Sequence, residues 1–457
     1  MSFLKTPSYQ KLKKIGQEDL LKDWDTFTFL QQEELALQIE QLDIKTFFQQ
    51  KKALLSQPNK KMATLTPFNE FEIAGVNKRK KLGKEAIAAG LVGCLVVAGG
   101  QGTRLGHLGP KGTFPVTVVR HKSLFQLLCE KVKAAQAQLH CQLLIAVMTS
   151  QSNHKETLSY FIQHRYFGLK PEQLFFFSQS SLPFLTSEGQ LFLDSQAKIV
   201  CGPDGNGSSL KEFISQGIWS KWYEKGVRYL NYLQIDNALA DPFDAELIGY
   251  QIESLADVVI KAVKRADPLE KVGVIVKCGS QVEVVEYFEL SDKERFALDH
   301  QKQLQHPLAN ISAFSFSMQV VKQVIEQNFA DFPLHKSWKT VGETDSKTLF
   351  SSKKQAWKFE RFIFDLLPFI DKVAALLYPR CQCFAPLKNC SGVDSIETVK
   401  TALQAFDCEK FQEITKTAIL QNQVFELDPQ FYYPTEKLVK QWQGKELPSQ
   451  PYIDFYT

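Results

Sequence analysis

Between Gly99 and Lys111 the chain reads GGQGTRLGHLGPK, residue types that suit the binding of a polyphosphate. An apolar stretch of strand character stops at Ala98, and four glycines follow within the next eight residues, with Arg104 among them and Lys111 just beyond. Glycines let a backbone turn tightly with its N–H groups exposed, and such groups take anionic oxygens. Two cations beside the turn set the sign of the ligand. A dinucleotide fingerprint counted from Gly100 needs glycine where Leu105 stands, and a P-loop counted from Gly106 needs glycine where Lys111 stands. What remains is a phosphate loop of another kind, or a strand-to-helix turn whose cations are merely solvated.

Other residues could join that chemistry. Asp236 follows the strand-like YLNYLQI and precedes Asn237. A carboxylate at a strand end suits a divalent cation beside phosphates, and it suits a helix cap equally well. The run CGPDGNGS (Cys201 to Ser208) reads as a turn. Gln179 carries an amide able to pair with a carbonyl and an N–H at once. Lys358 and Lys388 are solvated lysines on ordinary expectation. The eight histidines show no ligand spacing, and Cys381, Cys383 and Cys390 lack both a CxxC pair and a nearby histidine, which argues against zinc.

The elements that must position these residues follow from pattern. Gln17 to about Leu55 is helical in type, with Leu20, Leu21 and Trp24 on one face and Leu35, Leu37, Ile39 and Leu42 continuing it. A loop with Pro58, Pro67 and a solvated basic run at Lys78 to Lys81 leads onward. From Gly93, strands at Leu143–Val147, Leu174–Phe177, Arg228–Ile235 and Val258–Val263 alternate with helices at Ser123–Gln138, His154–Gln163 and Phe243–Ser254. That alternation predicts a mainly parallel sheet covered by helices, whose ligands gather at the carboxyl ends of strands. Val272–Val276 and Gln281–Tyr287 suggest a hairpin, and Phe359 to Leu377 a long apolar helix. The expected domains are a helical region 1–88, a catalytic domain 89–379 and a small C-terminal lobe 380–457.

The totals exclude some functions. With 457 residues, 44% hydrophobic content and a formal charge of +4, the chain makes no case for a nucleic-acid or membrane partner. Nine scattered cysteines suit free thiols in a reducing compartment, and no signal-peptide core is visible near the start, so a cytoplasmic location is expected.

The string GGQGTRLGHLGPKG resembles the signature loop of the UDP-sugar pyrophosphorylases, specifically the UDP-N-acetylhexosamine branch. The likeness runs from about Gln17 to Asn389, through GQEDLLKDWD, PDGNG, VVEY, LANIS and PLKN. It implies an α/β fold, with a Rossmann-like, GT-A-like nucleotide-diphospho-sugar transferase domain on a mixed sheet, a helical N-terminal extension and a small C-terminal lobe. It also implies an enzyme that joins UTP and a sugar 1-phosphate with Mg²⁺, as a monomer or weak homo-oligomer. By the same resemblance Arg104, Lys111, Lys388 and Lys358 hold phosphates and carry catalysis. Gly99, Gly100, Gly102, Thr103, Gln179, Gly205 and Asn206 bind the nucleotide, with Gln179 on the uracil edge. Asn206, Glu286, Tyr287 and Asn310 bind the sugar, and Asp236 binds the metal. Past Asn310 the chain departs from the family with Ser312-Ala313-Phe314, which leaves glucose 1-phosphate or a broad sugar range open beside N-acetylglucosamine 1-phosphate. A regulator that binds nucleotide sugars without turnover is the reading from another class.

Overall fold

The apolar run before the glycine turn is a strand, and it lies inside an eleven-stranded mixed sheet. The computed structural model describes residues 6–55, 65–341, 354–419 and 423–457. Contacts gather the chain into two units. One holds Met1–Lys61, Ser180–Ser208 and Asn328–Asp365; the other holds Met62–Gln179, Ser209–Gln327 and Leu366–Thr457. Both are discontinuous, and their limits do not coincide with the boundaries expected at 88 and 379.

The larger unit carries the sheet. Its strands are β1 (Leu65–Pro67), β2 (Phe71–Ile73), β3 (Val92–Val97), β4 (Leu144–Thr149), β5 (Leu174–Ser178) and β6 (Tyr229–Gln234). They continue with β7 (Val258–Lys264), β8 (Gly273–Cys278), β9 (Gln281–Val285), β10 (Leu308–Ser317) and β11 (Val373–Leu377). The spatial order is β2-β11-β7-β10-β6-β3-β4-β5, and β8 pairs with β10, β1 and β9. β6, β3, β4 and β5 are parallel, while β10 runs antiparallel to both β6 and β7 and so makes the sheet mixed. One face of β3 and β4, through Cys94, Val96, Ile145 and Val147, packs on Phe125, Leu128 and Val132 of the helix Leu124–Leu139. Burial on both sides explains why these strands read as unbroken apolar runs. In register, Val97 lies beside Met148 and Gln234, and Thr149 beside Ser178. The glycine turn, Gln179 and Asp236 therefore all leave the sheet at the carboxyl ends of its parallel strands.

The smaller unit builds its core from Leu12, Leu35, Ile39 and Phe47 against Leu185, Ile199 and Phe359. Its helix Phe29–Gln41 starts with a capping box between Thr28 and Gln31. Two antiparallel ribbons complete it, Ser181–Pro183 with Cys201–Pro203 and His335–Val341 with Lys354–Glu360. Leu37, expected on the apolar face, is exposed instead.

Two further expectations are corrected. Phe359–Leu377 is not a helix: Phe359 closes the strand Lys354–Glu360, a 3₁₀ turn spans Ile363–Phe369 around Pro368, and Val373–Leu377 is β11. A short apolar run buried within a sheet has the same local pattern as a buried helix, and Pro368 was the sign that the run is interrupted. The basic run Lys78–Lys81 lies in the helix Asn77–Ala88, not in a loop. Arg79 there is not solvated; its Nε donates to Glu253 at 2.5 Å and its guanidinium covers the Tyr250 ring at 4.6 Å. Among the described residues no helix is long and apolar enough to cross a membrane.

Candidate active site

The turn after β3 folds back on itself through its own backbone. Gly102 N–H donates to Gly109 at 2.9 Å, Lys111 N–H to Gly100 at 3.0 Å, and His107 N–H to Gly102 at 3.1 Å. His107 Nε2 also bonds Thr113 Oγ1 at 2.7 Å, which pins the far end of the turn. Among the described residues, the amides of Gly99, Gly100, Thr103 and Arg104 have no protein acceptor. Thr103 and Arg104 are exposed. The turn thus carries four amides without a protein acceptor, and Arg104 contributes one of them.

Gln179, directly after β5, is buried and lies against Gly99: a Cβ on Gly99 would sit 3.0 Å from Gln179 Oε1. Its backbone N–H is held by Thr149 O at 2.8 Å. Only glycine lets the strand end approach this amide so closely.

Asp236 follows β6. Its Oδ2 accepts from Lys111 Nζ at 3.2 Å, and each side chain is only 14% exposed, so the two assigned groups meet directly. The next residue ties the segment before Lys388 to Asp236. Asn237 Nδ2 donates to Cys383 O at 2.7 Å, and its Oδ1 accepts from Ala385 N at 2.9 Å and Leu239 N at 3.2 Å. Leu387 N–H donates to Asp236 O at 2.8 Å. The segment 383–387 thus runs along residues 236–238 and delivers Lys388, whose Nζ lies 3.8 Å from Asp394. Burial raises the Asp394 carboxyl, with Lys388 pulling it down and Asp236 pushing it up.

Three of the four expected sugar residues, Glu286, Tyr287 and Asn310, lie on the hairpin side of the sheet. Gly273 of β8 pairs in register with Asn310 of β10, and a Cβ on Gly273 would lie 3.3 Å from Glu286 Oε1. Asn310 is buried and its Oδ1 accepts from Ser312 N at 3.0 Å. The family departure at Ser312-Ala313 is a bulge: the β10–β7 register shifts between Asn310 and Ala313, and Ser312 has φ 53. Tyr287 is half-buried, its carbonyl held by Arg295 at 2.9 Å.

Gly205, Asn206 and Lys358 belong to the smaller unit, where they come together. Arg361 N–H donates to Asp204 O at 2.7 Å, and Gly207 N–H to Arg361 O at 2.9 Å, so residues 360–363 clamp the PDGNG turn. Gly205 has φ 88, and a Cβ there would come 2.2 Å from Arg361 O. Asn206 Oδ1 accepts from Ile363 N at 2.9 Å. Lys358 Nζ pairs with Glu360 at 2.7 Å.

Sequence reasoning did not single out Asn153, Asn237, Asp394 and Lys131 of the larger unit, nor Arg361 of the smaller. Lys131, buried on the helix Leu124–Leu139, donates to Ala238 O at 2.8 Å and Ala240 O at 2.9 Å; burial pushes its amine down to about 8. Arg361 is likewise held below its ordinary range by burial. The only advance signal was Asn237's place beside Asp236. For Mg²⁺, which commonly takes one or two carboxylates with the rest of its shell from phosphates and water, the available oxygen donor is the Asp236 carboxylate, its Oδ2 held by Lys111; among the described residues no three His, Cys, Asp or Glu side chains form a metal cluster.

A family profile described as UTP–glucose-1-phosphate uridylyltransferase matches residues 44–446. The chain belongs to this family. Members of the uridylyltransferase family join UTP and a sugar 1-phosphate to give a UDP-sugar and pyrophosphate, and this chain is accordingly a nucleotidyltransferase. It is 33% identical over 356 residues to a probable UDP-N-acetylglucosamine pyrophosphorylase of Dictyostelium discoideum, covering 74% of this chain and 72% of that one. It is 30% identical over 424 residues to the UDP-N-acetylglucosamine pyrophosphorylase of Saccharomyces cerevisiae, covering 87% and 89%. The uridylyltransferase fold is shared with the Trypanosoma brucei UDP-N-acetylglucosamine pyrophosphorylase crystallised with an inhibitor, with TM-score 0.83, 24% identity and coverage of 97% and 96%.

Proposed function

We propose that this uridylyltransferase makes UDP-N-acetylglucosamine from UTP and N-acetylglucosamine 1-phosphate. The observation that carries the reading is the meeting of Lys111, Asp236 and the Lys388 segment beside the glycine turn. These are two cations and a carboxylate at a strand edge, the set that phosphate chemistry needs. The attacking group is already an anionic phosphate oxygen, so positioning and electrostatics suffice and no general base is required. That oxygen attacks the α-phosphorus of UTP, and the bond to the β-phosphate oxygen breaks in line to release pyrophosphate. Arg104, Lys111 and the turn amides of Gly99, Gly100 and Thr103 take up charge on the triphosphate, and Gly102, whose own N–H is held by Gly109 O, lets the backbone come close to it. Lys388 holds the incoming phosphate, with Lys358 as a further phosphate cation. A Mg²⁺ ion on Asp236 would neutralise phosphate oxygens there. Gln179 reads uracil, Gly205 and Asn206 the nucleoside and sugar, and Glu286, Tyr287 and Asn310 the sugar. We place the enzyme in the cytoplasm, where its nine free thiols would stay reduced, as a monomer or weak homo-oligomer working without nucleic acid or membrane.

Relatives at 30–33% identity that carry the N-acetylglucosamine name support that sugar. The bulge at Ser312 favours the second reading, glucose 1-phosphate or a broad range. Pyrophosphate release measured in parallel with the two sugar phosphates separates them. The expected result is a preference for N-acetylglucosamine 1-phosphate; a clear preference for glucose 1-phosphate overturns it.

A further inference from the structure

We propose that Asn153 is a positioning residue that holds the glycine turn in its anion-binding form; this rests on reading that turn as the UTP site. Asn153 stands at the N-cap of the helix His154–Gln163, where an asparagine ordinarily accepts a hydrogen bond from the first turn. Its side chain makes no such bond. It is fully buried and turned toward the glycine turn. Nδ2 donates to Ala98 O at 3.1 Å and to Gly100 O at 3.3 Å, while Oδ1 accepts from Ser150 N at 2.8 Å. Two carbonyls on one side and one N–H on the other admit a single orientation of the amide.

The consequence lies in which way the turn presents its dipoles. Peptides flanked by glycine can reorient at little conformational cost. A reorientation at Ala98 or Gly100 would aim a carbonyl oxygen where phosphate oxygens belong. Asn153 holds both carbonyls inward, and Lys111 N–H shares the grip on Gly100 O at 3.0 Å. The N–H of Gly99, in the same peptide as Ala98 O, stays available for the ligand, and the grip on Gly100 O fixes the orientation of the following peptide. The helix gives up a side-chain cap so that the turn keeps its polarity.

Replacement by a good capping residue separates this role from a structural one. Asn153→Ser can cap the helix but cannot reach both carbonyls. Thermal unfolding, UTP binding by calorimetry, and kcat and KM for UTP are measured on wild type and variant. The expected result is a melting midpoint close to wild type, UTP affinity weakened about tenfold, and a matching rise in KM with a smaller change in kcat. Wild-type UTP affinity in Asn153→Ser overturns the role. If that variant does not fold, Asn153→Asp, which keeps the acceptor for Ser150 and also caps, is read by the same outcomes. Wild-type enzyme that binds no UTP overturns the reading of the turn itself, a failure distinct from an unchanged variant beside a binding wild type.

Discussion

Asn237→Ala tests whether one side chain joins the carboxylate and the lysine of the site. The side chain is buried and satisfies three backbone groups: Cys383 O at 2.7 Å, Ala385 N at 2.9 Å and Leu239 N at 3.2 Å. Truncation strands all three. Each buried polar group left without a partner costs about 1–3 kcal/mol, and because the three share one side chain as partner their losses do not simply add. Taking the low end for each gives about 3 kcal/mol, equivalent to about two orders of magnitude in an equilibrium constant. Part of that is recovered if the segment 383–387 lifts away from residues 236–238 and takes water, which moves Lys388 out of place. The variant is therefore expected to lose about tenfold or more in kcat/KM for the sugar phosphate. Affinity for UTP alone, measured by calorimetry without metal, changes less. The assay is initial-rate pyrophosphate release with each substrate varied in turn. A kcat/KM for sugar phosphate within about threefold of wild type, on a folded variant, would refute the argument.

Three further outcomes are expected. Arg104→Ala removes an exposed guanidinium, so the melting midpoint holds while turnover falls by about two orders of magnitude or more; near-normal turnover would remove its assigned role. Gly205→Ala forces a side chain onto φ 88 and within 2.2 Å of Arg361 O, and should destabilise the fold by about 3 kcal/mol or more, read as a lower denaturation midpoint. Burial raises Asp407 to about 7, although Tyr432 and Leu427 donate to it and Lys122 lies near. A raised carboxyl contributes stability that is complete below its unfolded pKa and is lost as pH rises through about 7. Asp407→Asn should flatten the fall in stability between pH 4 and 8 seen by chemical denaturation, and an unchanged slope would remove Asp407 as its source.

Much of the fold was legible because its strands and helices announce themselves locally. The helix His154–Gln163 and the strands β5 and β7 lie where periodicity puts them, since patterning and flanking turns agree. Val373–Leu377 was misread because a strand buried on both sides has no alternation to betray it. The glycine turn and its two cations were visible as composition, and the resemblance supplied roles for residues such as Gln179 and Lys388 that composition alone leaves on the surface. The supporting shell was not legible. Asn153 reads as a helix cap and Lys131 as one more lysine of an amphipathic helix, because what each holds lies 53 to 109 residues away in the chain. Hydrogen bonds to distant carbonyls leave no periodic mark.

The smaller unit is assembled from three separate lengths of chain, so it has no beginning or end of its own. Clipping residues from the amino terminus would strip Leu12, Leu35, Ile39 and Phe47 from a core whose other half, Leu185, Ile199 and Phe359, stays behind. Excising the unit whole would take a cut at each crossing, between 61 and 62, 179 and 180, 208 and 209, 327 and 328, and 365 and 366. Nested deletions made to map activity along this gene will therefore report collapse long before they reach chemistry, and point substitutions are the tool that suits it.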